Sequence, residues 1–536
     1  MVFKQYLKEC VDSFRNIDNK ETIRIITHLD TDGISAAAIL TKAMIRERKK
    51  FSVVFVNCLT KEFITSLASE PNKIFVFLDL GTSHISKIKQ DLKEKTIYIL
   101  DHHSTRIRKI NELTKKTDEE KIKIDEEKRK TDEEKKKSDE EKNSYQYLSQ
   151  NLFHVNPHIF GINGSKEISG AGVAYIFAKE LNIKNMDLAC WGILGAIGDS
   201  QEDNSFSGLN EEILKDAIDS KKISVETGIR FFGAEHKPLF KLLKNCTDFY
   251  MPGITGQDDK AQDFLSSIGI EPRIKGRWTK LDDLKDDELK KLIETICLVK
   301  SNKSNNEKKG GITNENKQDL IDDKKEDSND DKNNCSIYEN KYILCGASQD
   351  IRDLRELSTV LNACGRLDKA SIGLGLLLGD KKSLISAIYT LNEYKREILN
   401  GIKWIETRKR TSRITEEKGY IIINAEENIS PKILGTITSM LSRNHELVQG
   451  TYLLALAKTK DNKTKISFRI SGSWNSKSNS KINLVKLLGR MVEQFDGEYG
   501  GHSNAAGGLI DTKHEKMFIE TAKNELGKKA LEEVVE

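Results

Sequence analysis

The 536-residue chain lacks most of the features that would classify it at a glance. No two of its eight cysteines form a CxxC pair, so neither a zinc ribbon nor a disulfide framework is indicated. No window of eighteen apolar residues occurs, so no membrane-spanning helix is predicted. The opening stretch MVFKQYLKECVDSF has no apolar core of the signal-peptide kind. Neither sign of charge dominates: 87 Lys and Arg face 83 Asp and Glu, a net charge of +4. Bulk charge therefore cannot hold a polyanion, and only a local basic cluster could. These absences predict a cytoplasmic chain with buried, reduced thiols and no membrane contact, and the length predicts two or three domains.

What is present is a clean alternation over the first two hundred residues. TIRIIT (22–27), FSVVFV (51–56), KIFVFLD (73–79), TIYILD (96–101) and LFHV (152–155) are short apolar, β-branched runs. Helical spacing fills 33–47, 60–69 and 83–94 between them. Strands apolar on both faces and joined by helices predict a parallel sheet covered on both sides, whose ligand site gathers beyond the carboxyl ends of the strands. The pattern over 169–233 reads as helical. A second α/β unit follows mid-chain, with strands at GYIIIN (419–424), TYLLALAK (451–458) and KISFRIS (465–471), a helix near 381–410, and the glycine-rich GEYGGHSNAAGG (497–508).

Two stretches interrupt this order. Residues 115–142 repeat every seven residues around DEEK, but the a and d positions are not apolar, so no coiled-coil seam exists. A solvated, charge-paired helix or a disordered loop fits better. Residues 301–335 are polar enough to be disordered. Both read as insertions in surface loops.

The chemistry sits at the predicted strand ends. The first ends in THLDTDG, giving His28, Asp30 and Asp32; the third ends at Asp79; the fourth ends in Asp101, His102 and His103. The apolar segment 187–199 delivers Asp199. If the strands are neighbours, these side chains meet at one rim. Crowded carboxylates repel by several kcal/mol at an effective dielectric of ~20, and cations relieve that repulsion. Carboxylates with a minority of imidazole suit Mn²⁺ or Mg²⁺, with Mn²⁺ favoured by the histidines, rather than a structural zinc. Four or five carboxylates exceed the needs of one ion. Two ions roughly 3.5–4 Å apart would hold the attacking and leaving oxygens of a phosphoryl displacement. Taken singly, Asp30 reads equally as a helix cap and Asp79 as a strand-end turn residue.

HLDTDG, LDLG, LDHHST and GAIGDSQE together resemble the four motifs of the DHH phosphoesterase superfamily, in the same order. VNPHIFG, SGAGVAYIFAKEL, LNACGRL, LGLLLGD, SFRIS and GGHSNAAGG extend the likeness to the associated DHHA1 domain and over nearly all of the chain outside the insertions. The chain is most similar to archaeal RecJ-like single-strand exonucleases, including the GINS-associated type. The resemblance implies an α/β fold with an N-terminal parallel-sheet DHH domain (1–233), a helical connecting region (234–340) and a C-terminal α/β region holding DHHA1 (341–536). It implies Asp30, Asp32, Asp79, His102 and Asp199 as metal ligands with Asp79 bridging, Asp101 in support and His103 facing the substrate phosphate. His28 is a further candidate ligand, standing two residues before Asp30 where many members have four. Arg366, Arg469, Gly500, Gly501 and His502 match positions that grip nucleic-acid phosphates, Tyr499 taking the place of a glycine. Single-stranded nucleic acid is the implied substrate, in DNA replication or repair, with GINS and the MCM helicase as implied partners. From the residues alone, the glycine-rich stretch also reads as a tight turn and each arginine as a surface ion pair. A small-substrate DHH phosphodiesterase and a mainly scaffolding replisome component remain the alternatives.

Overall fold

Apolar runs become strands here because helices lie over both of their faces. In the computed structural model, β1 (Thr22–His28), β2 (Lys50–Val56), β3 (Ile74–Leu78), β4 (Thr96–Leu100) and β5 (Leu152–Val155) form one parallel sheet in the order β2-β1-β3-β4-β5. The structure describes residues 3–104, 151–202, 205–229, 237–244, 254, 258–301, 338–409, 411–443, 447–472, 483–502 and 505–535. The charged repeat at 115–142 and, apart from Ser301, the polar segment 301–335 lie outside them.

Side chains alternate across the sheet. Phe75, Phe77, Ile97 and Ile99 pack with Ile64 and Leu67 of helix Lys61–Ala68 and with Ile88 of helix Ile85–Asp91. Tyr98, between two of them, turns the other way, edge-on to Phe14 of helix Phe3–Arg15 and Phe177 of helix Gly170–Leu181. Each such buried ring contributes on the order of 1.5–3 kcal/mol. The predicted helix 33–47 is observed as Thr31–Arg46. Helices Ala189–Gly198 and Leu209–Asp219 continue the predicted helical stretch, but 223–229 departs from it. That segment is strand β6 (Ile223–Ile229), because Ile223, Val225, Thr227 and Ile229 repeat every second residue.

Contacts divide the chain into two units, residues 1–228 with 340–392, and 229–339 with 393–536. In the second, helices Leu239–Lys244, Asp258–Ser267 and Asp286–Ser301 close on one apolar cluster beside the short hairpin of β7 (Arg273–Ile274) and β8 (Arg277–Trp278). β9 (Tyr338–Leu344) pairs with β6. Helix Leu354–Arg366 falls within the stretch grouped by sequence with the C-terminal region, yet it packs on helices Thr31–Arg46 and Ala189–Gly198, burying Leu357, Leu361 and Cys364.

The second unit also holds a mixed sheet in the order β10-β11-β12-β13-β15-β14. Its strands are β10 (Ile414–Glu417), β11 (Tyr420–Asn424), β12 (Tyr452–Lys458), β13 (Lys463–Ile470), β14 (Glu498–His502) and β15 (Ala505–Asp511). Leu454, Ile466 and Phe468 pack there against Leu488, Met491 and Phe518. No helix among the described residues is long and apolar enough to cross a membrane. Cys10, Cys190 and Cys364 are buried free thiols, whereas Cys58 and Cys345 are exposed. The expectation of uniformly buried thiols fails at those two because each stands just past a strand end.

Candidate metal centre

The candidate ligands leave the sheet at one level. Thr27 of β1 pairs with Leu78 of β3, which pairs with Leu100 of β4, so the residues that follow emerge side by side at adjacent carboxyl ends. Asp199 comes from outside the sheet, as the C-terminal cap of helix Ala189–Gly198. Asp30 serves two roles at once. Its Oδ1 accepts the Gly33 N–H at 3.0 Å as a helix cap, while its Oδ2 lies 2.8 Å from His28 Nδ1. Gly33 permits this turn, since a Cβ there would lie 2.3 Å from the His28 carbonyl oxygen. Asp79 holds φ +57°, a left-handed conformation that non-glycine residues other than Asn and Asp rarely adopt.

The ligand atoms fall into two groups, His28–Asp30–Asp79 and Asp32–His102–Asp199, each with its atoms within 4.8 Å of one another. Asp79 joins them. Its Oδ2 is 3.6 Å from His28 Nδ1, and its Oδ1 is 3.3 Å from His102 Nε2. His102 Nε2 is also 3.1 Å from Asp199 Oδ2 and 3.7 Å from Asp32 Oδ2. A third grouping, Asp79–His102–His103, reuses the same rim.

Two atoms test whether a cation fits. Asp79 Oδ1 and His102 Nε2 are buried and make no hydrogen bond, a cost of about 1–3 kcal/mol for each such group. A divalent ion satisfies both, and a set of carboxylates with imidazole suits Mg²⁺ or Mn²⁺. The electrostatics agree. Burial pushes the Asp32 carboxyl well above its usual range, and the nearby Asp199 and Asp79 charges push it further. Burial, helped by Asp79 and Asp30, takes Asp199 up to about 7 against the lowering pull of His102. Asp79 goes the other way: burial would raise it, but the imidazoles of His102 and His28 hold it well below the usual carboxylate range. Burial acts to lower His28 and His102, yet the surrounding carboxylates lift both well above 6.5.

Three family models match the chain: the DHH family N-terminal domain over residues 22–193, the DHH-CID domain over 231–314 and the DHHA1 domain over 417–528. The chain belongs to the DHH/DHHA1 phosphoesterase superfamily. An uncharacterized protein of Methanocaldococcus jannaschii is 27% identical over 519 residues, 94% of this chain and 93% of its own length. Among solved structures, the fold is similar to manganese-bound RecJ of Thermus thermophilus, with a TM-score of 0.52, 14% identity and 98% of this chain covered. The chain spans 55% of that RecJ. CDC45 of Entamoeba histolytica is similar at a TM-score of 0.59 and 11% identity, covering 98% of this chain and 99% of CDC45.

Around the candidate ligands, Asp101 and His103, both singled out in the sequence, are joined by residues that the sequence reading did not assign, Thr82, Asn156 and Gln201 among them. Asp101, 1% exposed, accepts the Thr82 N–H at 2.9 Å, the His102 N–H at 2.8 Å and His103 Nδ1–H at 2.7 Å. Burial works against charge on both partners, but each stabilises the other: Asp101 falls well below the usual range and His103 rises to about 9. Thr82 is held in turn by Asn156, whose side-chain amide also donates to the His103 carbonyl at 3.0 Å. His102 Nδ1 donates to the Gly164 carbonyl at 2.6 Å, and Gln201 Nε2 donates to the same oxygen at 2.9 Å. That bond turns His102 Nε2 toward the carboxylates.

Asp32, fully buried, accepts the Gly170 and Ala171 N–H groups at 2.6 and 2.9 Å. A Cβ on Gly195 would lie 2.2 Å from Asp32 Oδ1. Gly195→Ala is therefore expected to displace Asp32, destabilising the chain by about 1–3 kcal/mol and weakening Mn²⁺ binding at least ~10-fold. Thermal unfolding and a Mn²⁺ titration check this. Unchanged affinity would place Asp32 outside the ligand set.

The DHHA1 candidates lie in the second unit. Within GEYGGHSNAAGG two strands pair antiparallel, with Gly500 opposite Gly507, Gly501 opposite Ala506 and His502 opposite Ala505; the expected turn falls at 503–504, outside the described residues. Gly501 has φ +129°, and a Cβ there would lie 2.2 Å from the Ala505 carbonyl, whereas a Cβ on Gly500 would meet nothing within 4 Å. Tyr499 keeps the strand continuous, its ring over Gly489 and its hydroxyl donating to Glu493 at 2.5 Å. Arg469 also pairs with Ala505, and its Nη1 donates to the Phe468 and Ala506 carbonyls at 2.9 and 3.2 Å. Only the backbone of His502 is described. Arg366 belongs to the first unit, exposed at the end of helix Leu354–Arg366.

Proposed function

We propose that this chain is a metal-dependent exonuclease that hydrolyses phosphodiester bonds of single-stranded DNA or RNA in replication or repair. The observation that carries this reading is Asp79, which stands between two ligand groups with one oxygen toward each. His28, Asp30 and Asp79 would hold one divalent ion, and Asp32, Asp79, His102 and Asp199 a second, Mn²⁺ ahead of Mg²⁺. Bound there, the ions would polarise the scissile phosphate and lower the pKa of an attacking water.

The chain's own side chains do the rest. Asp101 keeps His103 protonated, and His103, its side chain 53% exposed, donates a hydrogen bond to the scissile phosphate. Arg366 follows Gly365, which abuts the Leu29 carbonyl beside Asp30, so its guanidinium grips a phosphate close to the metal rim. In the second unit, Arg469, Gly500, Gly501 and His502 are the proposed further phosphate-gripping residues. The family resemblance read in the sequence adds GINS, and through it the MCM helicase, as proposed partners, which co-purification from mixed purified components tests.

Purified full-length chain with Mn²⁺ is expected to release mononucleotides from one end of a single-stranded oligonucleotide labelled at its 5′ or 3′ end. Duplex should be spared, and the rate should fall as salt rises. A length series that peaks at dinucleotides would move the chain to the small-substrate phosphodiesterases. No release from any length would leave the scaffold reading.

A further inference from the structure

Helix Leu354–Arg366 comes from a distant part of the sequence yet meets the metal centre at both ends. Its face carries Arg355, Ser358, Asn362 and Gly365, spaced to fall on one side of a helix. Toward the centre it meets Thr31, fully buried between Asp30 and Asp32. Thr31 opens helix Thr31–Arg46, so its N–H has no partner within that helix. The partner is Asn362 Oδ1 at 3.1 Å, 331 residues along the chain. The Thr31 hydroxyl donates to the Ser358 carbonyl at 2.8 Å. Gly365 lies so close to Leu29 that a Cβ would stand 1.8 Å from its carbonyl oxygen, and a Cβ on Gly198 would stand 2.7 Å from Thr31 Cβ. At the other end, Arg355 grips Glu202, with Nη2 to Oε1 at 2.7 Å and Nε to Oε2 at 3.3 Å. Glu202 is three residues past Asp199.

We infer that this helix is a strut that holds the Asp30–Asp32 loop and the Asp199 loop in register, and that Asn362 is a positioning residue acting through Thr31. The inference rests on the metal-centre reading above. Neither Asn362 nor Thr31 belongs to the candidate ligand groups. Asn362 satisfies a buried donor that would otherwise pull the two aspartates out of place, and it does so from the same helix that presents Arg366. One rigid element thus sets the phosphate grip against the metal ligands.

The test is Mn²⁺ binding by calorimetry on the full chain, with steady-state cleavage kinetics alongside. Asn362→Ala is expected to weaken Mn²⁺ about 10–100-fold and to lower kcat with little change in KM, whereas Arg366→Ala should raise KM. Asn362→Asp, which keeps an oxygen facing the Thr31 N–H, should recover most of the affinity. Wild-type affinity in the alanine variant, or an aspartate variant as weak as alanine, overturns the strut. Should the alanine chain not fold, Thr31→Val and Thr31→Ser test the strut through its second bond, the Thr31 hydroxyl on the Ser358 carbonyl: loss with valine and recovery with serine support it, and equal affinity in both overturns it. A wild-type chain that takes up no Mn²⁺ sinks the metal-centre reading and the strut together, whereas normal Mn²⁺ uptake with silent variants sinks only the strut.

Discussion

Replacing Asp79 with asparagine is expected to lower Mn²⁺-dependent phosphodiester cleavage by at least about 10³-fold, roughly 4 kcal/mol of transition-state stabilisation, while leaving the fold intact. Asparagine is the informative choice. It keeps the volume of a side chain that is only 2% exposed, and it tolerates φ +57°, where alanine would add backbone strain. What it loses is the negative charge that faces His28 through one oxygen and His102 through the other. Both ligand groups are weakened by one substitution, so Mn²⁺ stoichiometry should fall together with rate. Circular dichroism and single-turnover kinetics on the same preparation separate loss of chemistry from loss of structure. A folded Asp79→Asn chain with full activity would remove Asp79 from the site and the two-group arrangement with it.

The strand-end cluster of acidic and imidazole side chains is legible in the sequence because a parallel sheet makes it a local feature: an apolar run ends, and the next few residues face the rim. The residues that hold those side chains in place are not, because their contacts are remote. Asp32 is fixed by backbone groups 138 and 139 residues away, and nothing near Asp32 announces Gly170 or Gly195. A signal did exist. SGAG and GILGAIG set glycines in otherwise apolar helices, where each costs roughly 0.5–1 kcal/mol relative to alanine; that cost marks a place where something must approach closely, which at Gly170 and Gly195 is the Asp32 carboxylate. Asp30 shows a different limit. Helix cap and site residue look like rival explanations in sequence, yet the carboxylate has two oxygens, one capping the Gly33 N–H and the other left beside His28 Nδ1. Residues 354–366 were grouped with the C-terminal region because chain order was the only guide to their neighbours, whereas their buried face packs on helices of the first unit.

Metal uptake should itself be strongly pH-dependent, with Mn²⁺ affinity falling at least about tenfold per pH unit below 7 as protons compete for the ligands. Asp199 is pushed up to about 7 by burial and neighbouring carboxylates, and Asp32 is raised for the same reason, so a metal-free site retains protons that an ion must displace. His102 is raised as well, by the carboxylates it faces and despite its burial. The same groups set the stability of the metal-free chain. A histidine raised above 6.5 contributes stability below that value and loses it as pH rises through the folded pKa, which applies to His28, His102 and His103. A carboxyl raised above 3.8 costs stability progressively as pH rises from there to its folded pKa, which applies to Asp32 and Asp199. Asp79 and Asp101 are lowered and act only at pH values below about 4. Between pH 5.5 and 8 the raised histidines and raised carboxyls therefore destabilise the metal-free chain as pH rises, Asp79 and Asp101 adding no slope there, and Mn²⁺ reverses the effect by pairing with the charges that appear. The gain in Tm on adding Mn²⁺ should be larger at pH 8 than at pH 6, and calorimetry in two buffers of different ionisation enthalpy should detect at least about one proton released per chain at pH 6.5. A gain in Tm that is flat across this range, with no proton release, would mean that the raised carboxyls lie outside the metal's reach.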